Sequence, residues 1–358
     1  MTTKESFRCL GLMSGTSLDG LDIAYCVFEK KESSWSFSVE KAQTIKYSSA
    51  WKEKLSAAHK LKTEDLLELD HAYGAFLGKA CRAFLDKHAL SVDFIASHGH
   101  TIYHQPKRKF TFQLGNGNDL HAFAQLPVIY DFRSLDVALN GEGAPLVPAG
   151  DKFLFSEFDV CLNLGGIANL SMDVNGVRVA YDICFCNMGL NYLAEKSGKE
   201  YDKDGDMAGD GEVNKELLRK LDSIYKAIRK KRPSIGRELF EKQIKPLIDQ
   251  KKIPIKDRMA TLVESAAKEI ISAIGTPKDN VTVMCTGGGA FNRFFMSRLL
   301  DHGGDNISLI LPDENVIKFK EAMVFAFLGV LRVRGEVNAL KSVTRASRDS
   351  SGGTMIGF

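Results

Sequence analysis

No stretch of this 358-residue chain approaches the roughly 20 consecutive apolar residues that a membrane-crossing helix needs. No role within a bilayer is therefore expected. The opening residues, MTTKESFRCLGLMSG, lack a long apolar run followed by small residues at a cleavage position, so no secretion signal is expected either. Charge of one sign is also missing. The 48 Lys+Arg against 45 Asp+Glu leave a net charge of +3, which gives no footing for nucleic acid or another polyanion. The seven cysteines are odd in number and lack disulfide-like spacing. Cys9, Cys26, Cys161 and Cys285 lie in apolar, strand-like runs, where a thiol behaves as a small hydrophobe. That usage fits a reducing, cytoplasmic setting. Cys184 and Cys186 are one residue apart rather than the two of common zinc and redox pairs, so packing is preferred over metal or redox chemistry. Two nucleotide fingerprints are absent as well: no glycine loop ends in Lys-Ser or Lys-Thr, and no G-x-G-x-x-G opens a helix after the first strand.

What is present is globular. Apolar residues make up 44% and charged residues 26%, and the length suits two domains. FRCLGLM and LDIAYCVFE read as strands around the turn SGTSLDG, and WSFSVEKAQTIKYS alternates as a third. From Thr63 to His88, apolar residues recur at helical spacing and predict one amphipathic helix. VDFIASHG predicts a short buried strand leading into a glycine turn. FDVCLNL, the turn GGIAN and LSMDVNGVRVAYDIC then repeat the strand, glycine turn, strand order, with Asn175-Gly176 as a hairpin turn. Residues 259–274 predict a helix closed by Gly275, and EAMVFAFLGVLRV, apolar nearly all round, a buried one. The polar, glycine-rich tail TRASRDSSGGTMIGF is expected to be partly mobile. The repeat predicts an internally duplicated α/β protein with mixed sheets and a cleft between two lobes. The boundary is expected within residues 135–155, taken as 1–145 and 146–358, with the tail able to return to the first lobe.

Three small-residue turns follow apolar strands: Ser14-Gly15-Thr16-Ser17, Gly165-Gly166 and Gly287-Gly288-Gly289. Glycine lets a backbone approach an anion closely, and hydroxyls add donors. One such turn is an ordinary hairpin; three on a repeated scaffold predict a nucleotide phosphate site. The first turn returns as a strand, so its anion would be held by hairpin amides and hydroxyls, as in actin and hexokinase-like sugar kinases.

Longer runs carry a closer resemblance. Gly11-Leu-Met-Ser-Gly-Thr-Ser-Leu-Asp-Gly20 resembles the opening signature of the anhydro-N-acetylmuramic acid kinases. Ser97-His-Gly-His-Thr-Ile-Tyr-His104 is similar to that family's S-H-G-Q-T-x-x-H, with His100 replacing glutamine. Asp131-Phe-Arg133, Asp136, Gly141–Pro148, Leu162–Asn169, Gly287–Asn292 and Glu321-Ala322 follow in family order. The resemblance implies a duplicated actin-like ATPase (ribonuclease H-like) fold and a homodimer. It also implies a cytoplasmic kinase using ATP and Mg2+ in peptidoglycan recycling. Water would open 1,6-anhydro-N-acetylmuramic acid at the anomeric carbon, and the freed O6 would take the γ-phosphate to give N-acetylmuramic acid 6-phosphate and ADP.

It assigns catalysis to Asp182 and Glu321. ATP binding is assigned to Gly11, Met13, Ser14, Gly15, Thr16, Ser17, Asp19, Gly165, Gly166, Asn169, Gly287, Gly288, Gly289 and Asn292, and substrate binding to Thr101, Arg133 and Asn187. Asp19 is the metal candidate, with Asp22 beside it in the sequence. From the residues alone, alternatives stand for each. Asp182, at the end of VRVAYD, is either a general base or a turn carboxylate. Arg133 either grips the sugar's lactyl carboxylate or pairs with Asp131 or Asp136. His98, His100 and His104 point to hydrogen bonding or packing ahead of a metal site. Where the family has D-T-G-P-G-N, this chain has Asp182-Ile-Cys-Phe-Cys-Asn187; the bulkier side chains would narrow the sugar pocket or change substrate preference. Two rivals therefore stay open: a same-fold kinase for another amino sugar, and a catalytically silent nucleotide-binding regulator.

Overall fold

The computed structural model describes residues 4–15, 18–32, 34–231, 235–275 and 280–358; Thr16 and Ser17, both assigned to the first phosphate turn, lie outside that set. Two compact units emerge, Met1–Phe155 joined by Phe319–Phe358, and Ser156–Lys318. The expected boundary after residue 145 stands beside a division after Phe155.

The first unit contains β1 (Ser6–Ser14), β2 (Gly20–Lys31), β3 (Ser34–Lys46), β4 (Phe94–Gln105), β5 (Phe110–Leu114) and β6 (Val128–Tyr130). The second contains β7 (Val160–Leu164), β8 (Ile167–Val174), β9 (Val177–Phe185), β10 (Val281–Thr286) and β11 (Ile307–Ile310). The chain then returns to the first unit, where β12 (Thr354–Ile356) pairs antiparallel with β6. Among the described residues, the first sheet runs β12-β6-β4-β1-β2-β3 with β5 on β4, and the second runs β11-β10-β7-β8-β9. Each has an antiparallel three-strand meander whose first strand pairs in parallel with a later one (β1 with β4, β7 with β10), which itself pairs in parallel with another (β4 with β6, β10 with β11). The same order twice is the expected duplication.

Local chemistry accounts for the elements. Thr63–His88 is one helix over the predicted range, with acidic Glu64 and Asp65 in its first turn and Lys87 and His88 in its last, matched to the helix dipole. It buries Tyr73, Leu77, Cys81 and Phe84 with Leu10, Leu12 and Ile23 of the sheet. On the first sheet's other face lies the part of the helix Glu314–Arg334 beyond its break at Phe319, residues 320–334, so close that a Cβ on Gly11 would strike the Ala322 carbonyl and one on Gly329 would meet Phe94 and Ala96. Asn175 and Gly176, at φ 52° and 76°, make the β8–β9 turn in the left-handed region a tight hairpin requires.

Two expectations are corrected. The strand at VDFIASHG does not stop at a glycine turn: β4 passes through Gly99, whose φ of 73° bends it, and continues to Gln105 against β5. The tail is not loose. Besides β12, Asn338 donates to the carbonyls of Leu328 and Gly352 and accepts from Gly352 N–H, and Thr344 donates to Asp136.

Candidate active site

In the first unit, strand periodicity puts one group of polar residues on the face toward the helix Glu314–Arg334. Gly11 packs under Ala322, and Met13, two residues on, is paired with Asp22 of β2. On β4, Ala96 is beside Gly11, and His98, two residues further, meets Phe325 of the helix at 4.6 Å between ring centres. Arg133 enters after β6. Its Nε and Nη2 groups donate to His98 Nε2 at 3.0 and 2.8 Å, and Nη1 donates to the Gly143 carbonyl at 2.6 Å. The alternative of Arg133 bonded to Asp131 or Asp136 is not what the residues do. Asp131 accepts from the Ser134 hydroxyl, while Asp136 accepts from Gly143 N–H and Thr344.

Burial pulls Arg133 down to about 10, against the nearby Glu321 and Asp136 charges, so it stays a cation at neutral pH. Glu321 keeps solvent access, yet dense surrounding protein lifts its carboxyl above the usual range; Arg133 offsets this and Asp22 adds to it. Asp22 is lifted too, by burial first, despite the Thr44 hydroxyl donating to it at 2.6 Å, with Asp19 contributing. Beside Glu321 in sequence, Lys320 is tied to Asp151 at 2.7 Å in a pair buried on both sides. Asp22, which sequence reading left undecided, thus belongs with Glu321; its signal was the period-two position opposite Met13.

The other side of β1 has a different network. Ser14 Oγ is hydrogen-bonded to Tyr47 Oη at 2.6 Å and His100 Nδ1 at 2.9 Å, and Tyr47 is bonded to Tyr73 at 2.6 Å. All four residues are buried. The Ser14 hydroxyl is therefore engaged beneath the turn. Burial drops His100 to about 4, with its Ser14 hydrogen bond opposing, so the ring is neutral at pH 7. Thr101 is half-buried and accepts from Gln113, His104 is hydrogen-bonded to Thr111, Gly15 accepts from Leu18 N–H, and Asp19 is exposed. Tyr47 and Tyr73 were missed, since nothing local in sequence links them to Ser14. The histidines make hydrogen bonds, and among the described residues no three His, Cys, Asp or Glu side chains form a metal-sized group.

In the second unit, the turns after β7 and β10 meet because those strands are parallel neighbours. A Cβ on Gly287 would meet Asn163 Oδ1 at 2.6 Å, and one on Gly289 would meet Leu164 Cβ at 2.8 Å. Asn187 fastens the pair: Nδ2 donates to the Leu164 carbonyl at 2.9 Å, its N–H donates to Gly165, and its side chain borders Gly288 and Gly289. Asn292, by contrast, caps the helix Arg293–Gly303, accepting from Phe295 N–H at 2.8 Å.

Asp182 does not end its strand. β9 continues to Phe185, because Cys184 and Phe185 pair with Ala168 and Ile167, and Asp182 sits opposite Asn169 beside a register shift. Ile235 N–H donates to Asp182 Oδ2 at 3.0 Å. The four altered residues Ile183, Cys184, Phe185 and Cys186 are all buried in the second unit's core, with Phe185 edge-on to Phe240 at 5.5 Å. Burial lifts the Cys184 thiol and takes Cys186 up to about 12, which makes both inert packing groups at neutral pH.

Two sheets with one strand order, each with a small-residue turn between its first antiparallel strands, define a duplicated actin-like ATPase fold. The sequence places it more narrowly: the family model described as anhydro-N-acetylmuramic acid kinase matches residues 7–357. The chain belongs to that family. A relative of that name from Sulfurimonas denitrificans is 34% identical, covering 95% of this chain and 97% of its own. Another of that name, from Aliivibrio fischeri, is 33% identical, covering 97% and 98%. Among solved structures, the activator of the 2-hydroxyisocaproyl-CoA dehydratase from Clostridium difficile with bound ADPNP is 14% identical at a TM-score of 0.44, covering 91% of this chain and 97% of that one.

Proposed function

We propose that the chain phosphorylates 1,6-anhydro-N-acetylmuramic acid with ATP, coupling ring opening to transfer, as a step in cell-wall recycling. The observation that carries this is the family match over residues 7–357, with Asp182, Arg133 and Glu321 at the positions the resemblance assigns. Water adds to the anomeric carbon, the bond from that carbon to O6 breaks, and O6 displaces ADP from the γ-phosphorus.

In the second unit, Asp182 takes the proton of the attacking water, its carboxylate oriented by the Ile235 N–H. The Gly165-Gly166 and Gly287–Gly289 turns, fastened by Asn187, offer backbone amides to phosphate oxygens; the engaged amide of Asn187 makes it a support of those turns more than a sugar ligand. Asn169, opposite Asp182, and Asn292, at its helix cap, complete that unit's assigned set. In the first unit, Arg133 lacks a hydrogen-bonded carboxylate among the described residues and is kept for the lactyl carboxylate of the sugar. Glu321, its carboxyl raised by burial with Arg133 opposing, hydrogen-bonds the sugar beside the reacting centre, and Thr101 adds a hydroxyl.

Mg2+, arriving with ATP, would offset phosphate charge and keep most of its waters. Asp19 and Asp22, on either side of the first turn's exit into β2, are the carboxylates that suit it through water. The Ser14 hydroxyl is engaged below, so that turn's contribution falls to Gly15 and its neighbours. Buried thiols suit a reducing cytoplasm, and the family resemblance suggests a homodimer, which light scattering would test.

The decisive experiment is product analysis by mass spectrometry in heavy-oxygen water with Mg-ATP and the anhydro sugar. A 6-phosphorylated sugar with label at the anomeric position is expected. Phosphorylation of only the ordinary reducing sugar would transfer the assignment to a simple amino-sugar kinase. ATP binding with no sugar phosphate formed would favour the silent regulator.

A further inference from the structure

His98 is buried and has both ring nitrogens committed. Nδ1 lies 2.9 Å from the Gly99 carbonyl, which can only accept, so Nδ1 carries the proton and Nε2 is left as an acceptor. Nε2 receives two groups of the Arg133 guanidinium, and a third goes to the Gly143 carbonyl. Of the five N–H groups a guanidinium carries, the two left are one on each terminal nitrogen, donors open to a carboxylate. Phe325 braces both partners, 4.6 Å from the His98 ring centre and 5.9 Å from the Arg133 guanidinium carbon. It stands one helical turn beyond Glu321, so one helix face carries the brace and the carboxyl together.

We propose that His98 is a positioning residue: as a neutral imidazole it holds the side-on edge of Arg133 and aims the remaining fork at a carboxylate of the sugar. A carboxylate in its place would orient the arginine equally well but cancel its charge. A neutral acceptor fixes direction and adds no negative charge to those of Glu321 and Asp136 already near Arg133, so it favours acidic sugars over neutral ones. The inference rests on Arg133 being the carboxylate ligand.

The test is steady-state kinetics of the full chain with the anhydro sugar and Mg-ATP for the wild type, His98→Leu, His98→Glu, Arg133→Ala and the double variant His98→Leu/Arg133→Ala. Expected is a rise in sugar KM of about ten- to hundredfold in His98→Leu, with kcat and ATP KM within about threefold of wild type. His98→Glu should raise sugar KM at least as much although it keeps an acceptor, an outcome a merely structural role would not give. The double variant should be no worse than Arg133→Ala. A normal sugar KM in His98→Leu, alongside a raised one in Arg133→Ala, overturns the role of His98 and leaves that of Arg133 standing. A normal sugar KM in Arg133→Ala removes both. Should the His98 variants fail to fold, nitrogen-15 NMR of the unaltered protein at pH 7 decides: a neutral ring protonated on Nδ1 is required, and a ring protonated on Nε2 overturns the proposal.

Discussion

At the scale of single residues, protonation separates the two histidines from ordinary surface ones. His100 is neutral inside its Ser14–Tyr47–Tyr73 network, at about 4 when folded against an ordinary value of 6.5, and burial drives His98 well below its usual range as well. A histidine whose folded value is depressed binds its proton more readily in the unfolded chain, so acid favours unfolding. Stability is therefore whole above about pH 6.5 and falls as pH drops from there through about 4, by at most about 1.4 kcal/mol per pH unit for each such histidine. Urea midpoints measured between pH 7 and pH 4.5 should decline, and His100→Gln, which can still bond Ser14, should flatten the decline. An unchanged slope in that variant would mean that His100 is not one of the groups responsible. Catalysis gives a second residue-scale expectation. Asp182→Asn keeps an acceptor for the Ile235 N–H but cannot take a proton, so turnover should drop by about a hundred- to ten-thousandfold while ATP binding, followed by calorimetry, stays near wild type. Wild-type turnover would remove Asp182 as the base.

At the scale of elements, helical residues 320–334 reach the first sheet only because Gly11 has no side chain there. The obstruction for Gly11→Ala is a backbone carbonyl, which has no rotamer to escape through. The variant should lose about 1–3 kcal/mol or more in denaturant unfolding and, with Glu321 riding on the displaced helix, most of its activity. Full stability in Gly11→Ala would show that this contact is loose. Periodic elements were legible from sequence: Thr63–His88 and the Asn175-Gly176 hairpin follow from local spacing and turn chemistry. Elements held by distant partners were not. β4 crosses Gly99 because β5 extends it, β9 runs past Asp182 because β8 continues alongside, and the tail orders because β6 offers an edge to β12. The site divides in the same way. Candidate side chains such as Arg133 and Glu321 could be named from their motifs, but the partner of Arg133 lies 35 residues upstream, and sheet order alone brings β4 next to β6.

At the scale of the whole molecule, the thiols form a built-in record of which unit has opened. All seven are buried: Cys9, Cys26 and Cys81 in the first unit, and Cys161, Cys184, Cys186 and Cys285 in the second. Thiolate is the reactive form, and burial raises Cys9, Cys26, Cys81, Cys184 and Cys186, so reaction has to wait for opening. Cys81 belongs to an apolar core of the first unit and Cys184 and Cys186 to that of the second, and a core opens as a cooperative set. An aromatic disulfide reagent at pH 8 should therefore label none of them in the native protein within minutes. Rising denaturant should release Cys184 and Cys186 together and Cys81 with its own core, assignable by peptide mass mapping. The pair Cys184 and Cys186 makes this sharpest, because they belong to the segment in which the chain departs from its family's pattern. If they are core groups, they react only with the rest of the second unit's set. Early, isolated labelling of either one would place its side chain in an accessible pocket beside Asp182, and the departure would then bear on the sugar the enzyme accepts.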